Sequence, residues 1–203
     1  PAAIAALCAE ALQYRFGAVM IHPCEVTRCV HLLAGSTVRV GTVTGFPLGQ
    51  NTSAVKRLET LDSLERGARE IDLVMNIRAL QAGDEAYVRQ EFDDLAGACR
   101  AAGAISKVIL ETCCLSDDQK RLACRIAVEA GVDFVKTSTG LSAGGATVAD
   151  VRLMANAVAG RARVKAAGGI RTLAEALAMI AAGATRIGTS SGVAILAACT
   201  SPA

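Results

Sequence analysis

Asp133-Phe134-Val135-Lys136-Thr137-Ser138-Thr139-Gly140 sets a lysine at the end of a short apolar strand, directly before a turn of hydroxyls and a glycine. An ammonium taken out of water is costly unless it is paired or gives up its proton, so a strand of this pattern has to account for its charge. Residues 162–169, Ala-Arg-Val-Lys-Ala-Ala-Gly-Gly, repeat the arrangement around Lys165. Two of the five lysines in the chain are placed this way.

Working outward from these two stretches, short apolar strands are predicted at residues 18–21, 38–43, 70–75, 107–112 and 185–188. Helices alternate with them: residues 2–16, 24–34, from Asn51 or Thr52 to about Gly67, 84–102, from Ser116 to Gly131, 147–160, from Thr172 to Ala182, and a last one opened by Ser190-Ser191-Gly192. Ser116 followed by Asp117 and Asp118 reads as a helix start, because the hydroxyl can cap and the acids meet the positive end of the helix dipole.

Strict strand and helix alternation requires a parallel sheet covered by helices, since parallel strands need crossovers. The closed form of that pattern is an α/β fold of the (β/α)8 TIM-barrel type, here one domain over residues 1–203. Seven strands are read, so the first strand of an eightfold barrel is expected to be missing from this chain. A doubly wound open sheet is the runner-up. Against it, the first strand-to-helix turn, His22-Pro23-Cys24-Glu25, has no phosphate-cradling glycines.

Composition narrows the partners. With 52% apolar and 20% charged residues the chain can build a substantial core, and a net charge of +2 spread over helix faces excludes nucleic acid and an anionic membrane as primary partners. No apolar run reaches the length of a membrane span, so a cytoplasmic location is the default. The eight cysteines match no zinc spacing and read as reduced thiols; no metal is expected. Six aromatic residues, two Tyr and four Phe, offer no stacking platform for bases.

In a barrel, polar residues at the C-terminal strand ends face a common mouth. Asp72, Glu111, Lys136, Lys165 and Ser190 fall at or near such ends. Lys136 and Lys165 lie on consecutive strands, where like charge and partial burial lower an amine's pKa and leave it able to attack a carbonyl. Asp72 is placed to pair with Lys165 and move protons. Taken singly, each has a plainer reading: strand-end lysines usually snorkel, Asp72 alone accepts loop N–H groups, Glu111 reads as structural and His22 as packed. The joint occurrence of two lysines and an acid favours chemistry. Gly168 and Gly169, then Gly188 to Gly192 with Ser190 and Ser191, stand where barrel enzymes bind phosphate with the last loops and a helix N-terminus; Arg171 adds a cation.

Gly45-Phe-Pro-Leu-Gly, Glu70-Ile-Asp-Leu-Val-Met-Asn, Val135-Lys-Thr-Ser-Thr-Gly, Lys165-Ala-Ala-Gly-Gly-Ile-Arg-Thr and Arg186-Ile-Gly-Thr-Ser-Ser-Gly, in this order, closely resemble the deoxyribose-phosphate aldolase family of class I aldolases. The resemblance implies a Schiff base between Lys136 and acetaldehyde, with Lys165 lowering the pKa of Lys136 and Asp72 acting as general acid and base. It implies a phosphosugar substrate held by Thr139, Gly140, Gly168, Gly169, Arg171, Gly188, Ser190 and Ser191. No cofactor is implied, and the expected assembly is a homo-oligomer, dimer or tetramer. The family's opening strand, which carries an Asp and a Thr, has no counterpart before Pro1; Met20 replaces a cysteine of some relatives and Leu141 a lysine. Two alternatives stay open: a transaldolase-like enzyme with other donors, and an inactive phosphosugar-binding barrel remnant.

Overall fold

The computed structural model describes residues 2–200. Seven parallel strands, β1 (Ala18–Ile21), β2 (Arg39–Thr44), β3 (Glu70–Val74), β4 (Ile105–Ile109), β5 (Phe134–Lys136), β6 (Arg163–Ala167) and β7 (Arg186–Gly188), pair strictly in chain order. The helices are α1 (Ala2–Gln13), α2 (Val26–Leu32), α3 (Ser53–Glu65), α4 (Ile77–Gln81), α5 (Glu85–Ala101), α6 (Asp117–Ala130), α7 (Val148–Val158), α8 (Leu173–Ala181) and α9 (Gly192–Thr200).

The sheet curls into an open barrel. In a flat sheet β3 and β7, four steps apart, would be separated by about 19 Å. Instead Arg186 on β7 donates to both oxygens of Glu70 on β3, at 3.1 and 2.9 Å. The two edges also face each other: the Phe16 ring, just ahead of β1, lies against Gly192 at the start of α9, where a Cβ would fall 2.9 Å from the ring. Among the described residues no ladder of hydrogen bonds joins β7 to β1.

Alternation along the strands sorts the core into two zones. Ile71, Leu73, Val108, Val135 and Val164 are buried in the hydrophobic core that the helices share. Glu70, Asp72, Lys107, Phe134, Lys136, Lys165 and Arg186 occupy the barrel interior, so that the inner layer of this sheet is charged where a structural barrel would be filled with branched apolar side chains. Register explains the stacking: Asp72 pairs with Lys107, Ile109 with Lys136, and Lys136 with Lys165.

Local signals act largely as expected. Thr52, Ser116, Thr147 and Thr172 each accept a backbone N–H at a helix start, and Ser116 with Gln119 and Thr172 with Glu175 form complete capping boxes. The first helix is three residues shorter than the expected 2–16, because Phe16 N closes back onto Ala11 O at 3.0 Å while Arg15 takes a positive φ of 52°. The fourth strand spans Ile105–Ile109 where 107–112 was expected, and Glu111 and Thr112 fall in the turn beyond it. α4 was not anticipated: Asn76 caps it by accepting Ala79 N.

Candidate active site

Asp72 is fully buried at the centre of β3, and three ammonium groups converge on it. Lys136 and Lys165 both donate to the same oxygen, Oδ2, at 2.8 and 2.7 Å. Two bonds of these lengths to one atom bring the nitrogens within about 5.5 Å of each other, inside the range where like charges act strongly on protonation. Lys107 donates to the other oxygen, Oδ1, at 2.8 Å and pairs with Glu70 Oε2 at 2.6 Å. All three lysines are buried, with Lys136 and Lys165 6% and 3% exposed.

Burial pushes the Asp72 carboxyl up, but the charges of Lys136, Lys165 and Lys107 outweigh it and hold the group well below the usual carboxylate range. Glu70 behaves alike, with burial opposed by Lys107 and Arg186 and the net direction downward. At Lys165 burial dominates: it drives the pKa down, Asp72 draws it partly back, and the charges of Lys136 and Lys107 lower it again, to about 7. The site therefore holds an ionised acid beside an amine poised between its charged and neutral forms.

Space for Lys165 comes from a neighbouring glycine. A Cβ on Gly188 would sit 3.1 Å from Lys165 Cε and 3.0 Å from the Ala167 Cβ. The loop after β5 is tied to the end of β6 by one side chain: Thr137 Oγ1 donates to Ala167 O at 2.9 Å and accepts Ala167 N at 3.1 Å, continuing the ladder where β5 ends. Ala146 N donates to Gly168 O, and Gly145 packs so closely on Gly168 that neither tolerates a side chain. Gly140, Gly168 and Gly169 all adopt positive φ, which makes these tight returns possible.

Of the expected site residues, Asp72, Lys136 and Lys165 are brought into one cluster. Asp72 and Lys165 stand at mid-strand, not at strand ends, so the cluster lies inside the barrel with its charges shielded from solvent. Glu111, read as structural, grips Thr139: Oε2 accepts its hydroxyl at 2.6 Å and Oε1 its N–H at 3.3 Å, and Glu111 takes a left-handed backbone with φ 54°. Glu111 and Thr139 line a cavity of about 320 Å³ that also meets Leu48, Arg78 and Leu141. Gly168, Gly169 and Arg171 follow β6, and Ser190 and Ser191 precede α9, on the same side of the sheet. Arg171 and Ser190 are exposed, and Ser191 N donates to Thr189 Oγ1.

Lys107, Glu70 and Arg186 were not singled out from the sequence. The available signal was a lysine inside Ile-Ser-Lys-Val-Ile, whose partner Asp72 is adjacent only once the register of β3 on β4 is known. Among the described residues no group of three or more His, Cys, Asp and Glu side chains is arranged to hold a metal ion, and no helix is long and apolar enough to cross a membrane.

Comparison with known proteins gives one consistent result. Residues 2–198 match the family model described as DeoC/LacD family aldolase. The chain is 59% identical over 192 residues to the deoxyribose-phosphate aldolase of Bacteroides thetaiotaomicron, covering 95% of this chain and 81% of the relative. It is 50% identical to that of Carboxydothermus hydrogenoformans, covering 94% and 84%. Among solved structures it superposes on the tetrameric deoxyribose phosphate aldolase of Aeropyrum pernix with a TM-score of 0.90 at 34% identity, covering 98% of this chain and 83% of that one.

Proposed function

Because the chain belongs to the DeoC/LacD aldolase family, we propose that it is a class I aldolase, a carbon–carbon lyase that reversibly cleaves 2-deoxy-D-ribose 5-phosphate to acetaldehyde and D-glyceraldehyde 3-phosphate. The observation that carries this reading is the sharing of Asp72 Oδ2 by two buried amines. Two carboxylates, Glu70 and Asp72, face five cations, Arg39, Lys107, Lys136, Lys165 and Arg186, so the cluster favours releasing a proton from one of its amines.

In this reading Lys136, at the end of β5 beside the loop, is the nucleophile. Lys165 in its neutral form takes a proton from the Lys136 ammonium, and the freed Lys136 amine adds to the C1 aldehyde of the sugar; loss of water gives an iminium. A base within the Asp72 and Lys165 pair removes the C3 hydroxyl proton, the C2–C3 bond breaks, and its electrons pass to the iminium, leaving an enamine on Lys136. Glyceraldehyde 3-phosphate departs. Protonation at C2 and hydrolysis then release acetaldehyde and restore the amine.

The phosphate is assigned to Gly168, Gly169, Arg171, Gly188, Ser190 and Ser191 beyond β6 and β7, with Thr139 and Gly140 between the amine and the phosphate end. Positive-φ glycines and a helix start are supports for this assignment. We further infer a single catalytic domain, a cytoplasmic enzyme and a homo-oligomer, the last supported by the tetrameric relative.

Borohydride reduction in the presence of acetaldehyde or deoxyribose 5-phosphate, followed by peptide mass spectrometry, is expected to place a covalent adduct on Lys136. An adduct on Lys165 alone would reverse the two amine roles, and a folded protein with neither amine modified would end the aldolase reading.

A further inference from the structure

Glu70 lies at the floor of the barrel, fully buried, and touches charges from three other strands. Lys107 on β4 reaches its Oε2 at 2.6 Å, Arg186 on β7 binds both oxygens, and Arg39 on β2 approaches Oε1 at 3.7 Å. Arg186 is itself held over the Phe134 ring, with Cζ 5.4 Å from the centroid. Lys107 is thus fixed between two carboxylates, with Glu70 below and Asp72 Oδ1 above. If Lys107 were free to swing, it would compete for Oδ2 with the two amines proposed to react.

We propose that Glu70 is a positioning residue for the lysine cluster: anchored across the barrel by Arg186, it holds the Lys107 ammonium on Asp72 Oδ1 and so reserves Oδ2 for Lys136 and Lys165. The plainer role for Glu70 is neutralising Lys107 so that the strand can be buried. The two roles differ in what they do to Lys165. A merely structural Glu70 affects folding alone, whereas a positioning Glu70 sets the charge that Lys165 feels through Lys107. The charged groups facing Lys165 are Asp72, Lys136 and Lys107. Those facing Lys107 are Glu70 and Asp72; the Cys99 thiol on α5, pushed up to about 12 chiefly by burial, stays neutral beside it.

The inference rests on the reading of the cluster as imine-forming, but its test reads the resting protein. Nitrogen-15 NMR titration of the lysine side chains follows Lys165 through its midpoint, with melting temperature measured in parallel. Glu70→Gln removes a negative charge and is expected to lower the Lys165 midpoint by about 0.5–1 pH unit. Arg186→Gln takes away the anchor of Glu70 and so frees Lys107; although it removes a positive charge, it is expected to lower the midpoint in the same direction, which keeps the test decisive if Glu70→Gln fails to fold, and a rise in the midpoint would overturn the anchoring role. In a Lys107→Met background the Glu70 substitution is expected to leave the midpoint in place. A lower melting temperature with an unmoved midpoint, or an equal shift with Lys107 absent, overturns the proposal. Borohydride trapping separates the two readings: shifted midpoints without any adduct would remove the aldolase function and keep the role of Glu70, and an adduct with unmoved midpoints would do the reverse.

Discussion

The chain buries lysine against carboxylate in two different ways. Lys56 on α3 meets Glu91 on α5 at 2.6 Å, with the ammonium also donating to Val74 O and the carboxylate also accepting Asn76 N. One cation faces one anion, and every strong partner is satisfied. Around Asp72 one carboxylate receives three ammonium groups. Burial raises the pKa of both acids, yet Glu91 stays raised while Asp72 is driven well below its usual range. At Lys165 burial lowers the amine first and the like charges of Lys136 and Lys107, crowded on one counterion, lower it further, whereas a balanced pair of the same residue types serves to fasten α3 and α5 to the end of β3.

The two sites should respond oppositely to the same substitution. Lys136→Met is expected to lower kcat/KM on the order of 10⁴-fold or more with the fold intact, read by a coupled aldehyde assay with circular dichroism as control. Comparable loss from Lys56→Met in protein that remains folded would erase the distinction. Lys56→Met should instead cost about 3–5 kcal/mol in urea unfolding, because Glu91 is left buried without its cation.

Acidity separates the sites further. The amine of Lys165 falls to about 7 from an ordinary 10.5, so between those values the unfolded chain binds more protons than the folded one and stability climbs with pH. From pH 7 to pH 9 the gain attributable to this group is on the order of 2 kcal/mol, and Lys165→Met should flatten the rise in melting temperature over that interval. On the activity side, kcat/KM should decline as pH drops below about 7, where the neutral Lys165 amine disappears. The smallest effect is expected at the rim. Thr139→Val removes a 2.6 Å hydrogen bond to Glu111 and should raise KM by about three- to tenfold with kcat nearly unchanged, measured by initial rates over a range of deoxyribose 5-phosphate.

What the sequence disclosed depends on range. Local and periodic information was legible: short apolar strands, capping residues and the alternation that makes a parallel sheet led to the right architecture, and Lys136, Lys165 and Asp72 stood out because each interrupts an apolar run. Lys107 was read only as the opening of its strand, since its partner is 35 residues away and meets it through register. Glu70 and Arg186 are 116 residues apart and touch because the sheet curls, a property of the whole assembly of strands that no window of sequence carries. Lys56 and Glu91 lie on two helices that each look amphipathic and solvated, so their burial was equally invisible. α4 escaped because five residues give no helical period to detect.

Thr137 clamps the chain immediately after Lys136 to the chain immediately before Gly168 with two hydrogen bonds through a single oxygen. That joint fixes the loop after β5 against the end of β6, like the jaws of a caliper whose opening is set by the sheet. On the function proposed above, a sugar phosphate gripped at one jaw by its anion and at the other by its aldehyde carbon is gauged for the number of carbons between them, and a chain one carbon longer or shorter would have to buckle or fall short to satisfy both.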